Sequence, residues 1–192
     1  DSSKRPEQQA LPMTQRLPDH WRKQYDQDGV QIYENQHVLP RVWLTTQAEA
    51  VTSDEALRRI KGKSEAAFNP KTMALLEAPP ETLRGLSGGE LGAEEKAQII
   101  RYESNNLVIE TNAARQTVLV VSEMNYPGWE AKVDGQQANI RTTDYLLRGV
   151  ILPAGKHRVE MRYTAPAARN GAVLSALSLL VLIGLMLKAR RR

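Results

Sequence analysis

Apolar and polar residues alternate with period two through much of this chain, and the alternation stops near its end. Between residues 156 and 163, His157, Val159, Met161 and Tyr163 fall on one side, and Lys156, Arg158, Glu160 and Arg162 on the other. That is a strand with an apolar inner face and a charged outer one. Trp129, Ala131 and Val133 alternate in the same way with Glu130 and Lys132, and Asp134-Gly135 follows as a hairpin signal. Residues 137–141 then return as a strand. Residues 117–122 (TVLVVS) are nearly all β-branched or apolar, the composition of a central strand buried on both faces. Residues 96–103 and 107–112 flank Asn105-Asn106 as a tight hairpin, and 145–152 and 156–163 form another around Pro153-Ala154-Gly155. Shorter strands are expected at 30–35, 41–46 and 72–78.

Two segments break the pattern. Thr52, with Glu55 three residues on, is a capping box that opens a short helix. Its apolar stripe is Ala56, Leu57 and Ile60, and Gly62 ends it. Residues 171–187 (GAVLSALSLLVLIGLML) are an unbroken run of apolar and small residues, closed by Lys188, Arg190, Arg191 and Arg192. Spanning a hydrocarbon core takes roughly 17–25 such residues, so the run sits at the short edge of that range. A basic cluster at one end is retained on the cytoplasmic side. Its small residues, among them Gly171, Ala172, Ser175, Ala176, Ser178 and Gly184, suit packing against other helices.

The expected fold is mainly β: an antiparallel β-sandwich with jelly-roll or immunoglobulin-like layering, one short inserted helix, and one C-terminal transmembrane helix. Residues 1–18 read as a linker or disordered tail, 19–166 as the extracytoplasmic sandwich, 167–188 as the membrane helix and 189–192 as a cytoplasmic basic tail. The stretch 164–170 reaches at most roughly 25 Å, which holds the sandwich at the membrane surface. The chain starts at Asp1 without Met or an apolar leader. A cleaved signal or a longer upstream membrane protein would each account for that, and the second is the preferred expectation.

Composition narrows the chemistry. The chain of 192 residues has a formal charge of +4, and the terminal cluster supplies four positive charges, so the remainder is near neutral. No basic stripe or module points to nucleic acid. With no Cys there is no disulfide framework and no thiolate metal site. His20, His37 and His157 are scattered without metal spacing, so no metal and no cofactor are expected. Gly62-Lys63-Ser64 lacks the upstream glycine of a phosphate loop, because Leu57 stands there. The glycines between 85 and 92 read as a flexible loop. Among the carboxylates, Glu34, Glu123, Asp134 and Asp144 lie near strand ends, and none forms an evident acid–base pair.

Aromatic residues are the better candidates. Tyr126-Pro127-Gly128-Trp129 puts two rings around a turn, and rings on a sandwich rim can stack on sugars. Trp129, in phase with Ala131 and Val133, reads first as a core residue, whereas Tyr126 sits in the turn and is the better placed of the two. Trp43 and Tyr145 complete the candidate carbohydrate-binding set. Arg141, Arg148, Lys156, Arg158 and Arg162 are candidates for a basic outer face near anionic lipid, or for an ordinary solvated face.

Taken in order, three groups of residues resemble the YfhO family of bacterial multipass membrane proteins. The first is Tyr33-Glu34-Asn35 with Leu39-Pro40-Arg41-Val42-Trp43-Leu44. The second is Ser122-Glu123, Tyr126-Pro127-Gly128-Trp129 and Val133-Asp134-Gly135. The third is Tyr145-Leu146-Leu147-Arg148-Gly149-Val150, Leu152-Pro153-Ala154-Gly155-Lys156-His157 and Tyr163-Thr164-Ala165-Pro166, running into the helix. Asp144 departs from the family's commoner Asn.

The resemblance implies many membrane helices before residue 1 and a likeness to glycosyltransferases of the GT-C architecture. Those enzymes use polyprenyl-phosphate sugars at the outer membrane face, and YfhO-type members are linked with decoration of teichoic acids and other envelope polymers. Their catalytic acids belong to early loops between membrane helices, so no catalytic residue carries over to this chain. The shared residues read as structural: Gly128 and Gly135 for turns, Pro153 and Gly155 for a hairpin, Arg41 for a buried ion pair. The leading expectation is a non-catalytic accessory domain at the bacterial cytoplasmic membrane. Its partners would be lipid, upstream helices of the same protein, and an envelope glycopolymer or polyprenyl-phosphate sugar. The alternatives are a carbohydrate-binding module, a structural domain of an envelope complex, and a hydrolase using Glu34 or Glu123.

Overall fold

The computed structural model describes residues 20–190. The linker expected at 1–18 and the last two residues of the basic tail lie outside the described residues. Two units divide the chain, one ending at Leu39 and the other beginning at Pro40.

The first unit is a hairpin of β1 (Trp21–Gln27) and β2 (Val30–Asn35), paired antiparallel. Asp28-Gly29 forms its two-residue turn, with φ of 52° and 76°. Positive φ at both positions matches the right-handed twist of the strands, and Asp and Gly tolerate it best. This turn is the same Asp-Gly signal recognised further along the chain, and it predicts β1 as readily as β2.

The second unit is a sandwich of two sheets. One has the strand order β10 (Gln136–Ala138), β9 (Trp129–Val133), β13 (Gly155–Tyr163), β7 (Asn106–Ala113), β6 (Lys96–Glu103). The other runs β3 (Val42–Thr45), β8 (Thr117–Met124), β12 (Leu147–Leu152), β11 (Arg141–Thr143), β5 (Met73–Leu76), β4 (Gln47–Ala50). Their facing sides supply one core. Leu107, Ile109, Ala131, Val159 and Met161 come from the first sheet, and Val42, Leu44, Leu119, Val121, Val150 and Leu152 from the second. The period-two reading of β13 holds: Val159 and Met161 are buried while Lys156, Arg158, Glu160 and Arg162 are exposed.

β8 is buried on both faces, as its composition predicts. Trp43, Thr45, Val118 and Val120 share its outer side through strand register. There Trp43 donates to the Pro70 carbonyl at 2.9 Å and Thr45 to the Thr72 carbonyl at 2.6 Å, so the segment before β5 covers that face.

Four details depart from expectation. β4 and β5 pair in parallel across α1 (Ser53–Ile60), so the sheet is not wholly antiparallel. Thr52 caps α1 as expected, but only Ala56 of the expected stripe is buried and Ile60 is exposed. Residues 137–141 are not one strand: β10 and β11 belong to different sheets. β12 and β13 do not pair either, so Pro153-Ala154 carries the chain between sheets rather than around a hairpin. Gly155, at φ 128°, makes that crossing.

After β13 only Thr164 and Ala165 intervene before α2 (Pro166–Arg190). Pro166 opens α2, where its missing N–H costs nothing. Residues Asn170–Arg190 are long and apolar enough to cross a membrane, with mean hydropathy 2.3 over their most apolar 18 residues. At 1.5 Å per residue, these 21 residues extend about 31 Å, near the thickness of a hydrocarbon core.

Candidate functional site

At the end of the sandwich from which α2 departs, the inner faces of β8 and β12 end in charged residues and those of β9 and β13 in aromatic ones. Continuing Leu152 and Val150 by two leads to Arg148, and continuing Leu119 and Val121 by two leads to Glu123. On β9 and β13 the same continuation gives Trp129 and Tyr163, which are cross-strand partners. β6 joins them through a bulge between Ile99 and Arg101, which turns Tyr102 to sit opposite the core residue Leu107.

Arg148 is the centre of this group and is only 2% exposed. It donates from Nη2 to Glu123 Oε2 at 2.6 Å and from Nε to the Met124 carbonyl at 3.2 Å. Its guanidinium carbon lies 3.7 Å from the centre of the Trp129 ring. Nη1 is buried without a hydrogen-bond partner among the described residues. Burial depresses the Arg148 pKa, opposed by the Glu123 carboxylate.

The other Glu123 oxygen accepts from the Tyr102 hydroxyl at 2.6 Å. That bond raises the Tyr102 pKa, with burial adding to the effect. Arg41 reaches the Tyr102 hydroxyl at 3.0 Å and Glu123 at 3.5 Å, with its guanidinium carbon 5.0 Å from the Tyr102 ring centre. The buried ion pair expected of Arg41 is therefore made by Arg148, while Arg41 stays 55% exposed at the rim. The expectation that Arg148 joins a basic outer face fails for the same reason. Arg141 lies on the other sheet from Lys156, Arg158 and Arg162, so no single basic face forms.

Around the turn, Tyr126 meets Trp129 edge-on at 6.2 Å and Tyr163 at 5.4 Å, and Trp129 lies 5.7 Å from Tyr163. Gly128, at φ 108°, allows the turn, and its carbonyl accepts from the Thr164 amide at 2.8 Å. This bond ties the Tyr126-Pro127-Gly128-Trp129 turn to the two residues leading into α2. Beside it lies an open groove of about 500 Å³, lined by Tyr126 and Trp129 and by the amides Asn125, Gln137 and Asn139.

The remaining candidates lie elsewhere. Trp43 is buried with its indole N–H bonded, so it offers no ring to a sugar. Tyr145 is exposed at φ 77°, in the turn between β11 and β12. Tyr33, Glu34 and Asn35 belong to the separate hairpin, where Glu34 accepts from Gln36 at 2.9 Å and Asn35 from the His37 amide at 2.9 Å. Pro40 opens the sandwich unit and is exposed.

Asp134 and Gly135, at φ 51° and 83°, form the turn between β9 and β10. Asp134 accepts from the Arg158 amide at 2.8 Å and meets His157 Nδ1 at 2.6 Å. The Arg158 amide and then His157 hold the Asp134 carboxyl below its ordinary value. Among the described residues, no group of His, Asp or Glu is arranged to hold a metal ion.

Asp144, marked in the sequence only by its place near a strand end, is a buried carboxylate. It is 8% exposed, accepts from the Leu75 amide at 2.8 Å, and its Oδ2 has no partner among the described residues. Burial pushes its carboxyl up to about 6.

Comparison with known proteins agrees with this picture. Residues 90–175, from just before β6 into α2, match the family described as Bacterial membrane protein YfhO. Over 119 residues the chain is 24% identical to the "Uncharacterized protein YfhO" of Bacillus subtilis (strain 168). Both matches support membership of the YfhO family. The YfhO match holds Glu123, Trp129, Asp134, Arg148 and His157, whereas the hairpin unit and Arg41 precede it. The aligned part covers 62% of this chain and 14% of the Bacillus YfhO protein. No solved structure shows a significant match. The family match and α2 together support a membrane location.

Proposed function

We propose that this chain is the C-terminal part of a GT-C-type glycosyltransferase acting on cell-envelope polymers with a polyprenyl-phosphate sugar donor. In this reading α2 spans the cytoplasmic membrane with Lys188 and Arg190 on the inner side. The sandwich lies outside and is non-catalytic, covering the membrane-embedded site or positioning the acceptor. The observation that supports the reading is the two-residue connection between β13 and α2, short enough to hold the sandwich near any bilayer that α2 crosses. The basic residues after the apolar stretch support the orientation.

The chain has no cysteine, so single-site labelling tests the topology. Glu94→Cys, on an exposed loop, is expected to react with a membrane-impermeant thiol reagent in intact cells. Reaction only after permeabilisation would overturn the orientation.

A second reading, a carbohydrate-binding module, is favoured by the groove beside Tyr126. One face of Trp129 is covered by Arg148, so Tyr126 is the ring left to stack on a sugar. The amides of Asn125, Gln137 and Asn139 supply paired donors and acceptors that match hydroxyl groups. Calorimetry of the full chain with envelope polysaccharide is expected to show binding that Tyr126→Ala and Gln137→Ala both weaken. Absence of binding to every envelope polymer tried would remove this reading.

A further inference from the structure

Exposed apolar side chains are not spread evenly over the sandwich. Seven large ones are exposed between residues 40 and 163: Ile60, Ile100, Tyr102, Met124, Tyr126, Tyr145 and Leu146. Strand register puts the last five at one end. Met124 ends β8 opposite Leu147, and the Asn125 amide bonds the Leu146 carbonyl at 2.7 Å. Tyr102 reaches Glu123, the neighbour of Met124. Tyr126 packs on Tyr163, the last residue of β13. The rim is therefore the end from which the chain enters α2.

We infer that this rim is a lipid-contacting surface, with Met124, Tyr126, Tyr145 and Leu146 seated among the headgroups and upper acyl chains of the bilayer that α2 crosses. The inference rests on α2 being a membrane span and deepens the reading of the sandwich as a surface-bound domain.

The occupant follows from continuity. α2 begins two residues after β13, and its apolar stretch begins at Asn170. A surface tied to residue 164 by the Gly128–Thr164 hydrogen bonds cannot be far from the headgroups. The residue types also fit. Tyrosine, with an apolar ring and a polar tip, is enriched at membrane interfaces, and Met and Leu suit the layer beneath. Arg41, exposed beside Tyr102, adds a cation at a level where anionic headgroups lie. Both ends carry exposed charge, Glu103, Glu130 and Arg162 at the rim and Lys96, Lys156 and Asp134 at the far end, but the five exposed apolar side chains lie only at the rim.

The test uses the full chain reconstituted in vesicles of phosphatidylcholine and phosphatidylglycerol. An environment-sensitive fluorophore is placed on Met124→Cys, Tyr145→Cys or Leu146→Cys, with Lys96→Cys and Lys156→Cys as controls. The expected result is a blue shift at the three rim positions and loss of their emission when spin-labelled lipid is included, with neither effect at the controls. Circular dichroism confirms that each variant is folded. Rim probes that stay solvent-like overturn the inference. So do rim probes that shift to the blue without quenching by lipid, because protein rather than lipid then covers them. Thiol accessibility of Glu94→Cys separates these outcomes from a failure of the topology itself.

Discussion

The guanidinium of Arg148 lies flat enough against Trp129 to bring its carbon within 3.7 Å of the ring centre, while its Nη2 bonds Glu123 at 2.6 Å. A single buried cation thus joins the two sheets, since Trp129 belongs to β9 and Glu123 to β8. Desolvating an arginine is tolerable only with such company.

Arg148→Met is expected to destabilise the sandwich by about 1–3 kcal/mol, because Glu123 loses its buried partner and keeps only the Tyr102 hydroxyl and the rim cation Arg41. Arg148→Lys recovers little of this, since a lysine neither stacks on Trp129 nor reaches Glu123 and the Met124 carbonyl together. Glu123→Gln combined with Arg148→Met is expected to cost less than the two single changes added. Urea unfolding followed by tryptophan fluorescence measures all three, and strict additivity would show that the pair is not coupled.

Asp144 gives the stability a pH dependence of uncommon sign. Its folded pKa, about 6, lies above the unfolded value of 3.8. The folded state binds the proton more tightly, so this group favours folding at low pH. That contribution is lost as pH rises from the lower value through the higher one. Asp144→Asn keeps an oxygen for the Leu75 amide and tolerates φ of 49°. It is expected to be more stable than the parent at neutral pH by on the order of 1–3 kcal/mol, with the gap closing on acidification. A gap that stays constant from neutral to acid pH would contradict this account.

Gly149 is required by a neighbour on the adjacent strand. A Cβ there would overlap the Thr143 hydroxyl and stand 3.1 Å from the Thr143 Cβ. Gly149→Ala is therefore expected to lower stability by about 1–3 kcal/mol. Adding Thr143→Ala should restore most of the loss, as read by thermal unfolding. Failure of the second change to rescue the first would place the strain elsewhere.

Asp134 organises the far end of the other sheet. Its lowered pKa means that its contribution is present above the ordinary carboxylate range and fades as pH falls through the lower folded value. Asp134→Ala removes the acceptor for the Arg158 amide and puts alanine at φ of 51°. Faster hydrogen exchange is expected at Arg158 and Gln136, with β8 unaffected. Unchanged exchange at Arg158 would mean that the carboxylate does not hold this turn.

Strong local patterns were readable and long-range ones were not. β8 and β13 declare themselves because β-branched runs and strict alternation reflect burial directly. α2 declares itself by hydropathy. β4, QAEA, carries no such mark, since its place depends on parallel pairing with β5. β10 and β11 look like one strand because alternation continues while the chain passes from one sheet to the other at Asn139-Ile140. Arg148 was misread as outward-facing because it is charged. Counting back by two from Leu152 and Val150 puts it inside, and that signal was available. Arg41 takes the ion-pair role only by its place in a shared motif; its closest partner is the exposed Tyr102, 61 residues away, which the β6 bulge brings to Glu123.

β13 is the middle strand of its sheet, flanked by β9 and β7, and it is also the strand that continues into α2. Any pull or torque on the membrane helix is therefore delivered to the centre of the sheet, where hydrogen bonds to both neighbours resist it together as a shear load. An anchor on an edge strand would instead peel away one bond at a time. Mechanically, the fold ties its membrane tether to the strand hardest to extract.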